Sequence, residues 1–323
     1  MKIGIHHYEL RPGPDPARAA AAARRGALLK LDFDDGATGY SDLHPWIEFG
    51  QAPLGDQLAS LRSDQPAPLA RLALRHARTD AAARRAGLSL FTGLPEIRSH
   101  ALFTNWTNAP RGAFSQCVAE GYTAIKLKVG RDPARESAAL NALAGLPLRW
   151  RLDANAAFTV DSLTDWLAEL WPSVRANIEF IEDPCAYDPD IWATLAAREK
   201  IPLALDWELP TTPPPWPGAQ VVVLKPAAQD AFTLGLAAAQ AGRKIVVTHS
   251  MDHPLGRATA LWTAMRLRQR HGDLVVDCGI AAGGLYEPDQ FEAQAPRGPQ
   301  AVGPARTGFG LDGLLEAAAW QQL

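Results

Sequence analysis

The sequence predicts an α/β fold, a (β/α) barrel preceded by a small α+β unit. Two patterns carry this expectation. From about residue 99, short apolar segments rich in β-branched residues alternate with alanine-rich helical ones, a rhythm missing from the first 95 residues. Ionisable residues also recur at the C-terminal end of one strand after another, where the catalytic groups of a parallel barrel sit. An open doubly wound sheet is disfavoured, because no Gly-x-Gly-x-x-Gly turn follows the early strands.

In the first stretch, Lys2 to Tyr8 and Ala27 to Phe33 read as strands. The segment Arg11-Pro-Gly-Pro-Asp-Pro between them is too rich in proline for regular structure. Ala17 to Arg25 is a short helix or part of that loop, and Asp56 to Leu61 and Ala67 to Ala86 have helical apolar spacing. The predicted barrel strands are His100–Phe103, Ala124–Val129, Arg149–Asp153, Ile178–Glu182, Leu203–Asp206, Val221–Leu224, Ile245–Thr248 and Leu274–Asp277. Helical runs separate them at Ser137–Ala144, Ser162–Leu170, Ile191–Arg198, Thr233–Ala241 and Gly256–Arg270. Glu287 to Thr307 reads as loop, and Leu311 to Gln322 as a final helix packing back on the N-terminal unit.

Composition narrows the function classes. The 323 residues are 47% hydrophobic and 21% charged, with a formal net charge of -3 and a pI near 6.2. That balance, with basic residues scattered, argues against a nucleic-acid or anionic-membrane partner. Cys117, Cys185 and Cys278 are far apart and form no Cys-x-x-Cys pair, so reduced thiols in a cytoplasmic protein are expected rather than a disulfide scaffold or zinc knuckle. No secretory h-region follows Met1, and no apolar run is long enough to span a bilayer.

The chemistry is read from the strand ends. Lys126 and Lys128 lie two apart in Ile-Lys-Leu-Lys-Val-Gly, so both project to one face. The alternate residues Ile125, Leu127 and Val129 suit packing on helices, which turns the lysines inward. The third strand ends in Asp153 and Asn155, also on one face; the fourth has Glu182 at its tip, and the fifth Asp206. Any one of these carboxylates reads equally as a helix N-cap. Three on consecutive strand ends make an oxygen set suited to magnesium. Lys225 sits at the sixth strand tip, across the barrel from the lysine pair, and His249 and Ser250 follow the seventh. The absence of His-x-His disfavours a metal-dependent barrel hydrolase.

The ordered set Lys-x-Lys, Asp-x-Asn, Glu-Asp-Pro, Asp-x-Glu and Leu-Lys-Pro, from Ala124 to Pro226, resembles the enolase superfamily in its muconate-lactonizing subgroup. The resemblance implies a modified TIM barrel, (β/α)7β, spanning residues 98–285, with an α+β N-terminal capping domain, residues 1–97, completed by residues 286–323. It implies Mg2+ held by Asp153, Glu182 and Asp206, with Lys128 as base on one substrate face and Lys225 on the other. Lys126 would support Lys128 and contact the substrate carboxylate, with Asn155, His249 and Ser250 as further substrate contacts. Asp183 would lie behind the ligands, and Glu208 would compete with Asp206. Removing a proton α to a carboxylate makes a dianionic enediolate, whose charge a divalent cation stabilises; the superfamily's lysine or histidine base with magnesium is an established pattern.

Within the subgroup the sequence is most similar to the o-succinylbenzoate synthase family. The compact chain, a last strand without Asp-x-Asp, and Gly39-Tyr-Ser-Asp-Leu-His-Pro-Trp followed by Phe49-Gly carry this similarity. It implies a small-molecule carboxylate substrate, syn dehydration of 2-succinyl-6-hydroxy-2,4-cyclohexadiene-1-carboxylate, and a place in menaquinone biosynthesis. Arg11 to Asp15 would then be a mobile lid and Trp46 to Leu54 a specificity loop. The alternatives are N-succinylamino acid racemase, dipeptide epimerase or muconate cycloisomerase activity, and, in another class, a barrel that binds ligand without catalysis.

Overall fold

The computed structural model describes residues 1–209, 212–281, 283–304 and 306–323. It opens with strands β1 (Lys2–Leu10), β2 (Arg24–Asp32) and β3 (Thr38–Leu43), followed by helices α1 (Leu54–Ser60) and α2 (Pro68–Arg85). These strands form an antiparallel sheet whose fourth member, β13 (Gln321–Gln322), comes from the chain's far end and pairs with β1. The inner sheet face, with Ile3, Ile5, Leu29 and Leu31, packs on Leu69, Ala70, Ala73 and Ala77 of α2. Gly39 allows the close approach of β3 to α2, because a Cβ there would meet the Ala77 carbonyl oxygen at 2.0 Å.

The short strand β4 (Ile97–Arg98) pairs with β12 (Gln300–Ala301). Then come seven parallel strands: β5 (Ala101–Phe103), β6 (Ala124–Lys128), β7 (Arg149–Asp153), β8 (Ile178–Glu182), β9 (Leu203–Leu205), β10 (Val221–Leu224) and β11 (Lys244–Val247), hydrogen-bonded in chain order. Helices α3 (Arg111–Ala119), α4 (Pro133–Ala142), α5 (Val160–Ala168), α6 (Pro172–Arg175), α7 (Pro189–Glu199), α8 (Ala231–Gln240) and α9 (Pro254–His271) lie between and after them, and α10 (Asp312–Ala317) precedes β13. Strand alternation sorts the side chains. Ile125, Leu127, Trp150, Leu152, Ile181 and Val222 join the large core shared with the helices, whereas Phe180, Ala204, Val221, Val223 and Val246 form a small separate cluster on the other face, inside the barrel.

Two sequence expectations are corrected. Leu274–Asp277 is not a strand: Gly272–Leu274 is a 3₁₀ turn, and the barrel closes through single bridges, Ile245 to Val275, Thr248 to Gly279 and Ser99 to Cys278. Leu311–Gln322 breaks after Ala317, with Ala318 extended, so that its last residues can join the sheet as β13. Residues 38–43, within the segment that carries the family similarity, form β3; Asp42 is buried there and accepts from Tyr8 Oη at 2.6 Å. The Arg11–Asp15 segment is irregular, with Pro12 bridged to Tyr286 and the Gly13 N–H donating to the Leu285 carbonyl at 2.9 Å; residues 17–23 are turns, which decides for loop over helix there. Among the described residues no helix is long and apolar enough to cross a membrane.

Asp80 of α2 ties both chain ends together. It is fully buried and accepts from the backbone N–H groups of Tyr40 and Phe309 and from Arg84 Nε. Asp80→Ala orphans these donors and is expected to cost about 3–5 kcal/mol, read by urea denaturation; an unchanged midpoint rejects the linkage. Burial also lowers the pKa of His76, again on α2, from 6.5 to about 4. A base with a depressed folded-state pKa contributes stability above its unfolded value and loses it as pH falls. Stability should therefore fall between pH 6.5 and 4, and His76→Phe should flatten that decline.

Candidate active site

The open end of the barrel holds a cavity of about 500 Å³ between strand tips and cap residues. Register explains how its polar groups meet. Lys128 pairs with Asp153 across β6 and β7, and Asp153 with Glu182 across β7 and β8. Asp206 and Lys225 stand one residue beyond β9 and β10, and His249 two beyond β11. All inward positions of neighbouring strands thus present their side chains at one height.

Lys126 lies under this cluster with 9% of its surface exposed. Its ammonium donates to both carboxylate oxygens of Glu182, at 2.6 and 2.7 Å, and lies 2.8 Å from Asp153 Oδ2. Lys128 donates to Asp153 Oδ2 at 2.6 Å and to Asn155 Oδ1 at 3.2 Å. On the opposite wall Lys225 hydrogen-bonds Asp206 Oδ2. Burial alone would strip the proton from Lys126, but Asp153 and Glu182 outweigh it and hold the group as an ammonium. For Lys225, too, burial is outweighed, here by Asp206 and Glu182. Burial, followed by the neighbouring Asp153 charge, pushes the Glu182 carboxyl up to about 8.

Two oxygens are left over. Asp153 Oδ1 and Asp206 Oδ1 are buried without a hydrogen-bond partner. A buried carboxylate oxygen in that state carries its full desolvation cost. With Glu182 on the strand between them, these atoms are oxygen donors of the kind a hard divalent cation takes. Among the described residues no three acidic, histidine or cysteine groups already form a metal cage; the Lys126 ammonium sits between Asp153 and Glu182 as the stand-in positive charge.

The remaining predicted residues divide. Asn155, in left-handed backbone with φ of 46°, and His249 and Ser250 line the cavity. His249 Nδ1 accepts from the Met251 N–H at 2.9 Å, which places its proton on Nε2. Asp183 turns behind the cluster and accepts from the N–H groups of Asp206 and Trp207, fixing the turn that carries Asp206. Glu208 lies outside the cavity lining and accepts from the Tyr187 N–H at 3.2 Å, because the strand ends at Leu205 and alternation no longer sets its direction.

The segment expected as a specificity loop supplies cap groups around the cavity, and Arg24 and two floor groups join them that sequence reasoning missed. Trp46 stacks on Phe49 at 5.2 Å, the Arg24 guanidinium covers Trp46 at 3.6 Å, and Lys225 Nζ lies 5.7 Å from the Phe49 ring. The Trp46 indole donates to the Ser250 carbonyl at 2.8 Å, tying the cap to the barrel rim. Below the lysines, His100 and a fully buried Arg151 occupy the barrel interior. Arg151 lies two residues before Asp153, so strand alternation was the signal that would have placed it inside.

Comparison with known proteins identifies the family. A family model described as O-succinylbenzoate synthase, N-terminal domain matches residues 3–83, and one described as Enolase C-terminal domain-like matches residues 111–212. An o-succinylbenzoate synthase of Bdellovibrio bacteriovorus is 34% identical, the match covering 100% of this chain and 99% of that protein. The chain belongs to the enolase superfamily, in its o-succinylbenzoate synthase family. The superfamily fold is shared with the dipeptide epimerase of Enterococcus faecalis, solved with Mg and the dipeptide L-Leu-L-Tyr: TM-score 0.75, 16% identity, 96% of this chain and 99% of that one. Muconate lactonizing enzyme from Pseudomonas putida gives TM-score 0.75 and 16% identity, covering 98% and 99%.

In this synthase-family site the Lys126 contacts are the first to test. Lys126→Met leaves Glu182 without its ammonium partner and Asp153 with Lys128 alone. In EDTA it is expected to lose about 3–5 kcal/mol of stability by chemical denaturation; a wild-type midpoint would show that the ion pairs do not form.

Proposed function

We propose that the protein is an o-succinylbenzoate synthase, dehydrating 2-succinyl-6-hydroxy-2,4-cyclohexadiene-1-carboxylate to 2-succinylbenzoate in menaquinone biosynthesis. The observation that carries this reading is the placing of Lys128 and Lys225 on opposite walls of a carboxylate cluster with two unpartnered oxygens. The full-length relative named for that activity supports the choice of substrate.

Asp153, Glu182 and Asp206 would hold Mg2+, which fits their oxygen-only donors and the two orphaned atoms. When bound, the ion supplies positive charge against the substrate carboxylate, where negative charge grows as the α-proton leaves. Lys128 takes that proton as a free amine. Its hydrogen bonds to Asp153 and Asn155 fix the amine on one face of the substrate. Lys225 remains an ammonium on the other face and stabilises the enediolate electrostatically. Lys128 then returns the proton to the departing hydroxyl, so that water leaves and the ring becomes aromatic. The aromatic row of Trp46 and Phe49 offers a flat apolar wall for that ring.

A second reading has one observation in its favour. Amines on both walls also suit proton transfer from one face to the other, as in the racemases and epimerases that share the fold. A direct assay separates the two. Succinylbenzoate formation that stops with EDTA and exceeds racemisation of N-succinylamino acids is expected; the reverse ranking rejects the synthase. Lys128→Ala and Lys225→Ala should each lower kcat by at least about 10²-fold with thermal midpoints preserved. Glu182→Gln should weaken Mg2+ binding by calorimetry, and an unchanged titration removes Glu182 from the ligand set.

A further inference from the structure

The floor of the cavity holds a group that the proposed chemistry does not use. His100 precedes β5, is 4% exposed, and lines the cavity together with Lys126, Thr248 and Gly279. Its backbone N–H donates to the Cys278 carbonyl at 2.9 Å, part of the closure of the barrel. Its side chain stands on Arg151. That guanidinium grips Glu179 through Nε and Nη2, at 2.8 and 3.0 Å, and directs Nη1 to His100 Nδ1 at 2.9 Å and to the Asp277 carbonyl at 2.5 Å.

This contact decides the state of the imidazole. A guanidinium nitrogen only donates, so Nδ1 must present its lone pair. The ring is therefore neutral and its single proton is on Nε2. Burial and the adjacent Arg151 and Lys126 charges keep it neutral by driving its pKa well below the ordinary histidine value. Among the described residues none accepts from Nε2. The space beside that atom depends on Gly279, since a Cβ at residue 279 would lie 3.0 Å from His100 Nε2 and 2.5 Å from Thr248 Oγ1.

We propose that His100 is a substrate-binding residue whose Nε2–H, its tautomer set by Arg151, donates to the substrate carboxylate oxygen on which negative charge grows. The assignment rests on the synthase reading above. A neutral imidazole is a very weak acid, so it donates a hydrogen bond without surrendering its proton. It also adds no third cation to a floor already holding Lys126 and Arg151. Arg151 thus acts through His100, as a positioning residue.

The test compares His100→Leu with His100→Gln, whose amide can restore an N–H near Nε2. With Mg2+ and the cyclohexadiene substrate, His100→Leu should lose about 10²–10³-fold in kcat/KM, and His100→Gln should recover most of it, with wild-type thermal midpoints for both. Nitrogen NMR of the wild type should show Nδ1 unprotonated and Nε2 protonated throughout pH 5–8. Equal losses in both variants with lowered midpoints would reduce His100 to a prop for Arg151 and overturn the proposal. So would a ring that titrates in that range. A wild type that turns over while His100→Leu matches it sinks this assignment alone. A wild type that makes no succinylbenzoate sinks the synthase reading and this assignment with it.

Discussion

The site depends on how a barrel interior tolerates three carboxylates side by side. Asp153, Glu182 and Asp206 come from adjacent strands, each less than a tenth exposed. Like charges at such range in a desolvated place cannot all stay ionised without compensation. Lys126 supplies it by spanning two of them, and Lys225 by bonding the third. Even so the compensation is incomplete, since Glu182 is pushed up toward neutral pH and two oxygens remain orphaned. That deficit in positive charge supports the proposal that the cluster takes a cation.

The strands make that compensation possible because their register leaves no freedom. Lys128, Asp153 and Glu182 stand opposite one another in a continuous parallel ladder. A slip of one residue would send all three into the helical layer. Below them, Phe180, Val221, Val223 and Val246 exclude water from the barrel centre, which strengthens each charge–charge interaction above. Arg151 lies in that lower layer, held by Glu179 and capped by His100. Its burial without exposed surface is tolerable only because its donors are so fully engaged.

Much of this was legible in the chain. Alternation in Ile125–Val129 and the repeat of acidic residues at strand tips located Lys126, Lys128, Asp153, Glu182, Asp206 and Lys225, because those positions obey local rules of period and strand end. What was not legible depended on partners distant in sequence. The closing segment near Val275 has β-branched residues but makes only single bridges, since its neighbours β11 and β5 are set by the whole barrel. Gln321–Gln322 has helical neighbours in sequence and becomes strand through β1, more than 300 residues away. The Arg11–Asp15 loop is irregular as its prolines predict, but its contacts with Leu285 and Tyr286, far along the chain, could not be read locally. Glu208 broke the alternation argument because strand β9 had already ended.

The fold and the chemistry are also specified by different residues. Structures with the same barrel share about 16% of the sequence, because a barrel requires an apolar period and small residues at close contacts rather than particular side chains. Under the proposed function, the strand-end lysines and carboxylates are the groups that act on the α-proton. The choice among carboxylate substrates then falls to whatever closes the cavity. Here that is a row of Arg24, Trp46, Phe49 and Lys225, three members of which belong to the cap and one to the rim. Such a row has an aromatic middle between two cations, a shape complementary to a flat ring bearing separated negative groups. On the proposed function, the same floor beneath a differently shaped cap would suit a different acid.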